Sequence, residues 1–261
     1  MVEEYLTGVD SSPLQRLPAF RGPGLLMYHA IGRARPDPNR LCVSPERFAS
    51  QMLHLKRRGL RGVSVRELLR AENSARSGSL VGLTFDDGYE NFAQFALPVL
   101  EGLGFSATLF AVGGMLGEDN AWDEEPRMGL LDAEGLRAVA SKGIEIGSHG
   151  MSHRRLAGLD SRILRTEVVQ SKEVLGEILG EPVEGFCYPY GSLDRAAISA
   201  VREAGYSYAC ACNLRVEGSV YDLPRPPIWE MDRAPILSAK LRLHPGYSGL
   251  LSRLGLYNML L

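Results

Sequence analysis

The chain of 261 residues has little cysteine, little lysine and no long uninterrupted apolar run. Its four cysteines, Cys42, Cys187, Cys210 and Cys212, are too few and too irregularly spaced for a disulfide framework, which suits a reducing compartment. Cys210 and Cys212 would share one face of a strand and read as buried thiols rather than a metal pair. Basic residues give no surplus: 29 Lys+Arg stand against 31 Asp+Glu, a net charge of -2. Binding to nucleic acid or to an anionic membrane by bulk charge is therefore not expected. Lysine occurs only at 56, 142, 172 and 240, and no function is read from that arginine bias. The N-terminus opens with acidic residues and lacks the basic start and apolar core of a secretory signal, so a cytoplasmic protein is expected. The longest charge-free stretch, 102–117, is broken by glycines and falls short of the roughly 20 apolar residues of a spanning helix. What remains, 45% apolar and 23% charged, is the composition of a compact globule with a sizeable core.

Strand-length apolar runs alternate with amphipathic segments, the pattern of βαβ units around a parallel sheet. Strands are expected at 24–29, 80–85, 106–112, 144–147, 185–188 and 206–211. Helix starts are marked by Ser44-Pro45, by Ser64 with Glu67 three residues on, by Asp132, by Asp160 and near Asp194. A further helix is expected around 91–101. The segment after Asp160 carries Leu164, Val168, Ser171, Leu175 and Ile178 at helical spacing and closes at Gly180. Some seven strand-helix repeats fit a single TIM-like barrel, in which polar chemistry belongs at the C-terminal ends of the strands. Three segments are expected: an extension over 1–23, the barrel over 24–246 and an amphipathic tail over 247–261. Packing on the barrel is the expected role of the tail, ahead of dimerisation or membrane contact. Nothing in the sequence sets an oligomeric state.

The residues with chemical potential fall at those strand ends. Thr84-Phe85-Asp86-Asp87-Gly88 puts two adjacent carboxylates at a tight turn, and adjacent carboxylates repel unless a cation or proton lies between them. His149 and His153 stand at i and i+4, a spacing that lets two imidazoles reach one ion. One of the aspartates would complete a two-histidine, one-carboxylate site, leaving the other free as a base. The Phe186–Gly191 segment is suited to aiming a backbone N–H at a developing oxyanion. His244 is a candidate acid if the last strands return beside the first. His29 could line the same mouth, but core packing is the simpler expectation, and His54 is assigned nothing.

In order along the chain, Thr84–Gly88, Ser148–His153, Tyr188-Pro189-Tyr190-Gly191 and Leu243-His244 resemble the polysaccharide deacetylase family, also called the NodB-homology domain or carbohydrate esterase family 4. The resemblance runs from about residue 24 to 245. It implies a distorted (β/α)7 barrel and metal-dependent removal of an acetyl group from an N-acetylated or O-acetylated sugar. By position it makes Asp86 the base, gives the metal to Asp87, His149 and His153, uses the Tyr190 N–H for the oxyanion and makes His244 the acid. The metal it implies is most often zinc, with cobalt, nickel or iron as alternatives. Two elements of the pattern are missing. The third motif lacks its base-orienting arginine, for which Arg225 is the expected substitute. The fourth motif is not evident, although Asp222, Trp229 and Asp232 lie nearby. Two other readings compete: a non-haem iron oxygenase, whose usual host is a β-rich jelly roll, and an inactive glycan-binding module of the same fold.

Overall fold

The computed structural model describes residues 24–71, 74, 77–212 and 218–241. The extension over 1–23, His244 and the tail lie outside the described residues. In chain order the elements are β1 (Leu25–Tyr28), β2 (Ala30–Ile31), β3 (Cys42–Val43), α1 (Pro45–Arg57), β4 (Arg61–Val63), α2 (Val65–Arg70), β5 (Leu80–Phe85), α3 (Leu97–Leu103) and β6 (Thr108–Ala111). Then follow α4 (Ala133–Ser141), β7 (Glu145–Ser148), α5 (Ser161–Arg165), α6 (Ser171–Leu179), β8 (Gly185–Cys187), α7 (Arg195–Glu203) and β9 (Tyr208–Cys210). Seven strands form one parallel sheet in the order β1-β5-β6-β7-β8-β9, with β4 also paired to β5. The sheet is curled, and its outer face is covered by helices, as the alternating sequence pattern requires.

Period-two alternation sorts the strand side chains into two layers. Leu26, Tyr28, Leu83, Phe85, Leu109, Ile146, Phe186 and Ala209 pack outward under the helices. Leu25, Phe110, Cys187, Tyr208, Cys210 and Leu223 fill the interior. Gly82 and Gly147 keep it passable: a Cβ at Gly82 would lie 2.2 Å from Leu25 Cδ2, and one at Gly147 2.4 Å from the Phe110 ring. All four cysteines are free.

The gap between β9 and β1 is closed by an extended segment, 223–228, that is not a regular strand. Leu223 N donates to Ala209 O, Ala211 N to Leu223 O, Met27 N to Pro226 O and Ile228 N to Met27 O. Three prolines, 224, 226 and 227, remove ladder donors here, which is why no strand is legible in the sequence. Arg225 sits at the centre of this closure.

Helix starts fall where the capping residues place them. Ser44, Ser64, Asp132, Asp160 and Asp194 each accept a backbone N–H of the first turn. At Ser64 the reciprocal half of the expected capping box is absent. Ser106 Oγ receives the Ser64 N–H and donates to Glu67 instead. The helix expected after Asp160 is interrupted. Thr166–Gln170 winds as a π turn between α5 and α6, and Phe92–Ala96 does the same before α3. No helix among the described residues is long and apolar enough to cross a membrane.

Candidate metal centre and base

Every residue singled out at the strand ends and described in the structure arrives at the C-terminal mouth of the barrel. Thr84 and Asp86 point inward from β5, where alternation puts them. Asp87 would by the same alternation point outward, but its backbone is left-handed (φ 75°), and this turns its carboxylate back over the mouth. Gly88 continues the turn at φ 82°, where a Cβ would press on Ala111 Cα at 3.3 Å. His149 follows β7, and His153 takes φ 57°. Tyr190, in the turn after β8, takes φ 58°. Among the described residues only one other non-glycine, Arg40, has positive φ. Backbone strain is thus concentrated where chemistry is expected.

Asp87 Oδ1 lies 3.3 Å from His149 Nε2 and 3.3 Å from His153 Nε2. All three side chains are buried. Ligand atoms sharing one tetrahedral ion with bonds of about 2.0–2.1 Å are themselves separated by about 3.3 Å, so the spacing fits a metal. His149 Nδ1 is 2.8 Å from Cys187 O. A carbonyl only accepts, so Nδ1 carries the hydrogen and Nε2 presents its lone pair to the site. Three buried side-chain polar atoms among the described residues have no internal partner: Asp87 Oδ1, His153 Nδ1 and the Tyr89 hydroxyl. Two belong to the triad, and burial together with the facing charge of Asp87 pushes the Tyr89 phenol far up. Burial opposes ionisation of Asp87, but the two facing imidazoles outweigh it and hold its carboxyl well below the usual range. Burial lowers His153, whereas His149 is raised because Asp87 and Asp86 outweigh its burial.

Asp86 occupies a different environment. Arg225, fully buried, donates Nη1 to Asp86 Oδ1 at 2.6 Å and Nη2 to Oδ2 at 2.9 Å. Its remaining donors go to Thr84 Oγ1 (2.8 Å), Cys187 Sγ (2.9 Å) and Ala211 O (3.2 Å). Such a fork-to-fork pair fixes the carboxylate plane as well as its charge. Burial works against the charged form of Asp86, yet Arg225 overrides it and keeps the carboxyl below its ordinary value. Asp86, His149 and Cys187 also bring ligand-type atoms within 4.8 Å of one another. This second group does not suit a metal: Arg225 occupies both Asp86 oxygens, and burial keeps the Cys187 thiol protonated.

Other expectations are redistributed. His29 is half-buried and lies within electrostatic reach of Asp86, Asp87 and His153, which places it at the mouth rather than in the core. The fourth-motif substitutes are not brought to the site. Asp222 accepts from Gly218 and Ser219 N–H, and Asp232 accepts from Trp229 N–H and Lys240. His54 bonds Ser238 on the outside of the barrel. Trp122, which sequence reasoning missed, stacks on His153 with ring centroids 4.1 Å apart, while Tyr190 meets the same ring edge-on at 4.6 Å. The loop carrying Trp122 is held by Asn120, which donates to Pro126 O and accepts from Met128 N. One of two tryptophans set in an acid-rich loop was the available signal.

A curled parallel barrel with a buried Asp-His-His ligand set, beside a second acid held by arginine, is the equipment of a metal-dependent hydrolase. The family model described as polysaccharide deacetylase matches residues 73–209, just over half of the chain, and the chain belongs to that family. Bacillus subtilis YxkH, which bears the family's name, is 27% identical over 227 residues, covering 86% of this chain and 72% of its own. A Staphylococcus aureus poly-beta-1,6-N-acetyl-D-glucosamine N-deacetylase is 21% identical over 228 residues, covering 78% and 77%. Among solved structures, the Streptococcus pyogenes deacetylase PplD in complex with acetate superposes with a TM-score of 0.73 at 23% identity, over 84% of this chain and 97% of that one. The fold excludes the jelly-roll host expected of the oxygenase reading.

Proposed function

We propose that the protein hydrolyses the N-acetyl group of an acetylated amino sugar in a glycan, a lipid-linked sugar or a glycosylated metabolite. The observation that carries this is the pairing of two unlike aspartates. Asp87 shares one unpartnered oxygen with two imidazoles, and Asp86 beside it is locked by Arg225. The family membership and the Staphylococcus aureus relative support the substrate class.

Asp87, His149 and His153 would hold a divalent metal, for which zinc is the best match to two imidazoles and one carboxylate. Such an ion supplies Lewis acidity and lowers the pKa of a bound water to about 7. Asp86 takes the proton of the attacking water. An acid held ionised by Arg225 is ready to do so across the neutral range. Arg225 acts through Asp86 and is a positioning residue. The Tyr190 N–H, in a turn set by its left-handed backbone, meets the carbonyl oxygen as charge develops on it. His244 delivers the proton without which the sugar amine cannot leave.

Acetate release from N-acetylglucosamine oligomers by zinc-loaded protein tests the reading. Asp86→Asn is expected to retain zinc while turnover falls about 10²–10⁴-fold, the usual contribution of a general base. Loss of zinc in Asp86→Asn but not in Asp87→Ala would reverse the two assignments.

A further inference from the structure

We propose that Glu167 is a positioning residue for the metal centre: its carboxylate pre-forms the turn between His149 and His153 so that both imidazoles meet one ion. The inference rests on the reading that Asp87, His149 and His153 bind metal. Glu167 is buried, and the mechanism above does not use it. Its Oε2 accepts the backbone N–H of Met151 and of Ser152, both at 2.9 Å, and its Oε1 accepts the Ser152 hydroxyl. One carboxylate therefore satisfies the donors of two of the three residues separating the ligands. The turn needs such a hold because Gly150 (φ 79°) and His153 (φ 57°) are both left-handed, a conformation His153 would not keep unaided.

The opposite side of the turn is fixed by backbone. Gly113 N donates to Gly150 O and Gly114 N to Met151 O, each at 2.9 Å. Contact is so close that a Cβ on Gly114 would lie 2.5 Å from Met151 O. Glu167 closes this clamp from the helix side, and the helix is rewound at that point. Glu167 lies in the π turn Thr166–Gln170, whose displaced carbonyls are taken up by neighbours. Ser171 Oγ donates to Glu167 O at 2.7 Å, and the Tyr206 hydroxyl donates to Val168 O at 3.0 Å. Single π turns within α-helices frequently serve functional sites. Here the widened turn is the one that carries the acceptor for the ligand loop.

Zinc affinity of the full chain, measured by chelator competition, tests this with a readout separate from turnover. Glu167→Ala is expected to weaken zinc binding by about 10–100-fold, the usual effect of removing an outer partner of a metal ligand. Glu167→Gln keeps a carbonyl oxygen for the two N–H groups and is expected to restore most of the affinity. Leu175→Ala, a cavity in α6 remote from the turn, should lower the melting temperature with zinc affinity unchanged, separating loss of stability from loss of position. If Glu167→Ala does not fold, Glu167→Asp decides, since the carboxylate is kept but withdrawn by one methylene and affinity should still fall. Wild-type zinc affinity in Glu167→Ala or Glu167→Asp overturns the proposal, as does failure of Glu167→Gln to rescue. Absence of zinc binding in the unaltered protein overturns the metal site itself, and this inference with it.

Discussion

The barrel buries a carboxylate at each end, and the two are treated in opposite ways. At the floor, Glu145 opens β7 and points inward. Its Oε2 accepts from Thr108 Oγ1 at 2.7 Å and from Arg66 N at 3.0 Å, and its Oε1 accepts from the Tyr208 hydroxyl at 3.0 Å. Both oxygens are satisfied by neighbours on β6, β9 and α2, on ordinary backbone. At the mouth, Asp87 is equally buried, yet its Oδ1 has no hydrogen-bond partner, and it and two neighbouring site residues sit on left-handed backbone. Burial alone therefore does not distinguish a structural acid from one that holds a ligand; satisfaction does. A protein retains an unsatisfied buried oxygen on strained backbone where something outside the chain completes it.

The contrast breaks most sharply under metal titration. Zinc at 100 times its dissociation constant stabilises the native state by about 2.7 kcal/mol. At 2–4 °C per kcal/mol for a chain of this size, the melting temperature should rise by roughly 5–10 °C. Asp87→Ala is expected to abolish both that increment and acetate release, and chelator treatment of the unaltered protein should do the same. At the floor, Glu145→Leu leaves two hydroxyls and one N–H in the interior without their acceptor. At about 1–3 kcal/mol for each abandoned group, a loss of about 3–9 kcal/mol in denaturant-measured stability is expected. The zinc-dependent increment should survive in what remains folded. A Glu145→Leu protein that lost its zinc response, or an Asp87→Ala protein that kept it, would show that the two ends are not separate.

How much of this was legible depended on whether the signal was local. Caps are local, so Ser44, Asp132, Asp160 and Asp194 mark their helices to within a residue. The interior seams are local too, because alternation in β5 and β7 follows from the pleat. The direction of Asp87 was not, since pleat alternation predicts the opposite face and only a left-handed φ reverses it. The π turn at Glu167 escaped because apolar spacings of four and three persist through Leu164, Val168, Ser171 and Leu175 whether or not a residue is inserted. The closure at 223–228 escaped for a chemical reason: three prolines erase the strand pattern while the remaining N–H groups still bridge β9 to β1. Trp122 reaches His153 across a loop whose course is set by Asn120, a contact no periodicity encodes.

Arg225 offers the finest test of the comparison, because the mouth itself contains one satisfied acid beside one unsatisfied acid. Arg225→Lys keeps a positive charge but cannot reproduce two parallel N–H bonds to Asp86. Burial, which raises Asp86, would then be opposed less strongly, so its folded-state pKa should move up from its lowered position. The sign follows from linkage. A carboxyl lowered in the native state contributes stability above its unfolded value, near 3.9, and loses it as pH falls through the native value. In Arg225→Lys that contribution should be smaller and its loss complete at a higher pH, and the acid limb of kcat/KM should shift upward with it. A bound cation lowers Asp86 in both proteins, so the difference between them persists when zinc is loaded. Turnover at neutral pH should fall by about 10–100-fold, part of what a general base contributes. Zinc affinity should be unchanged, since Arg225 contacts none of the three ligands. An acid limb that stays in place would show that Arg225 merely closes the barrel between β9 and β1 and leaves the base untuned.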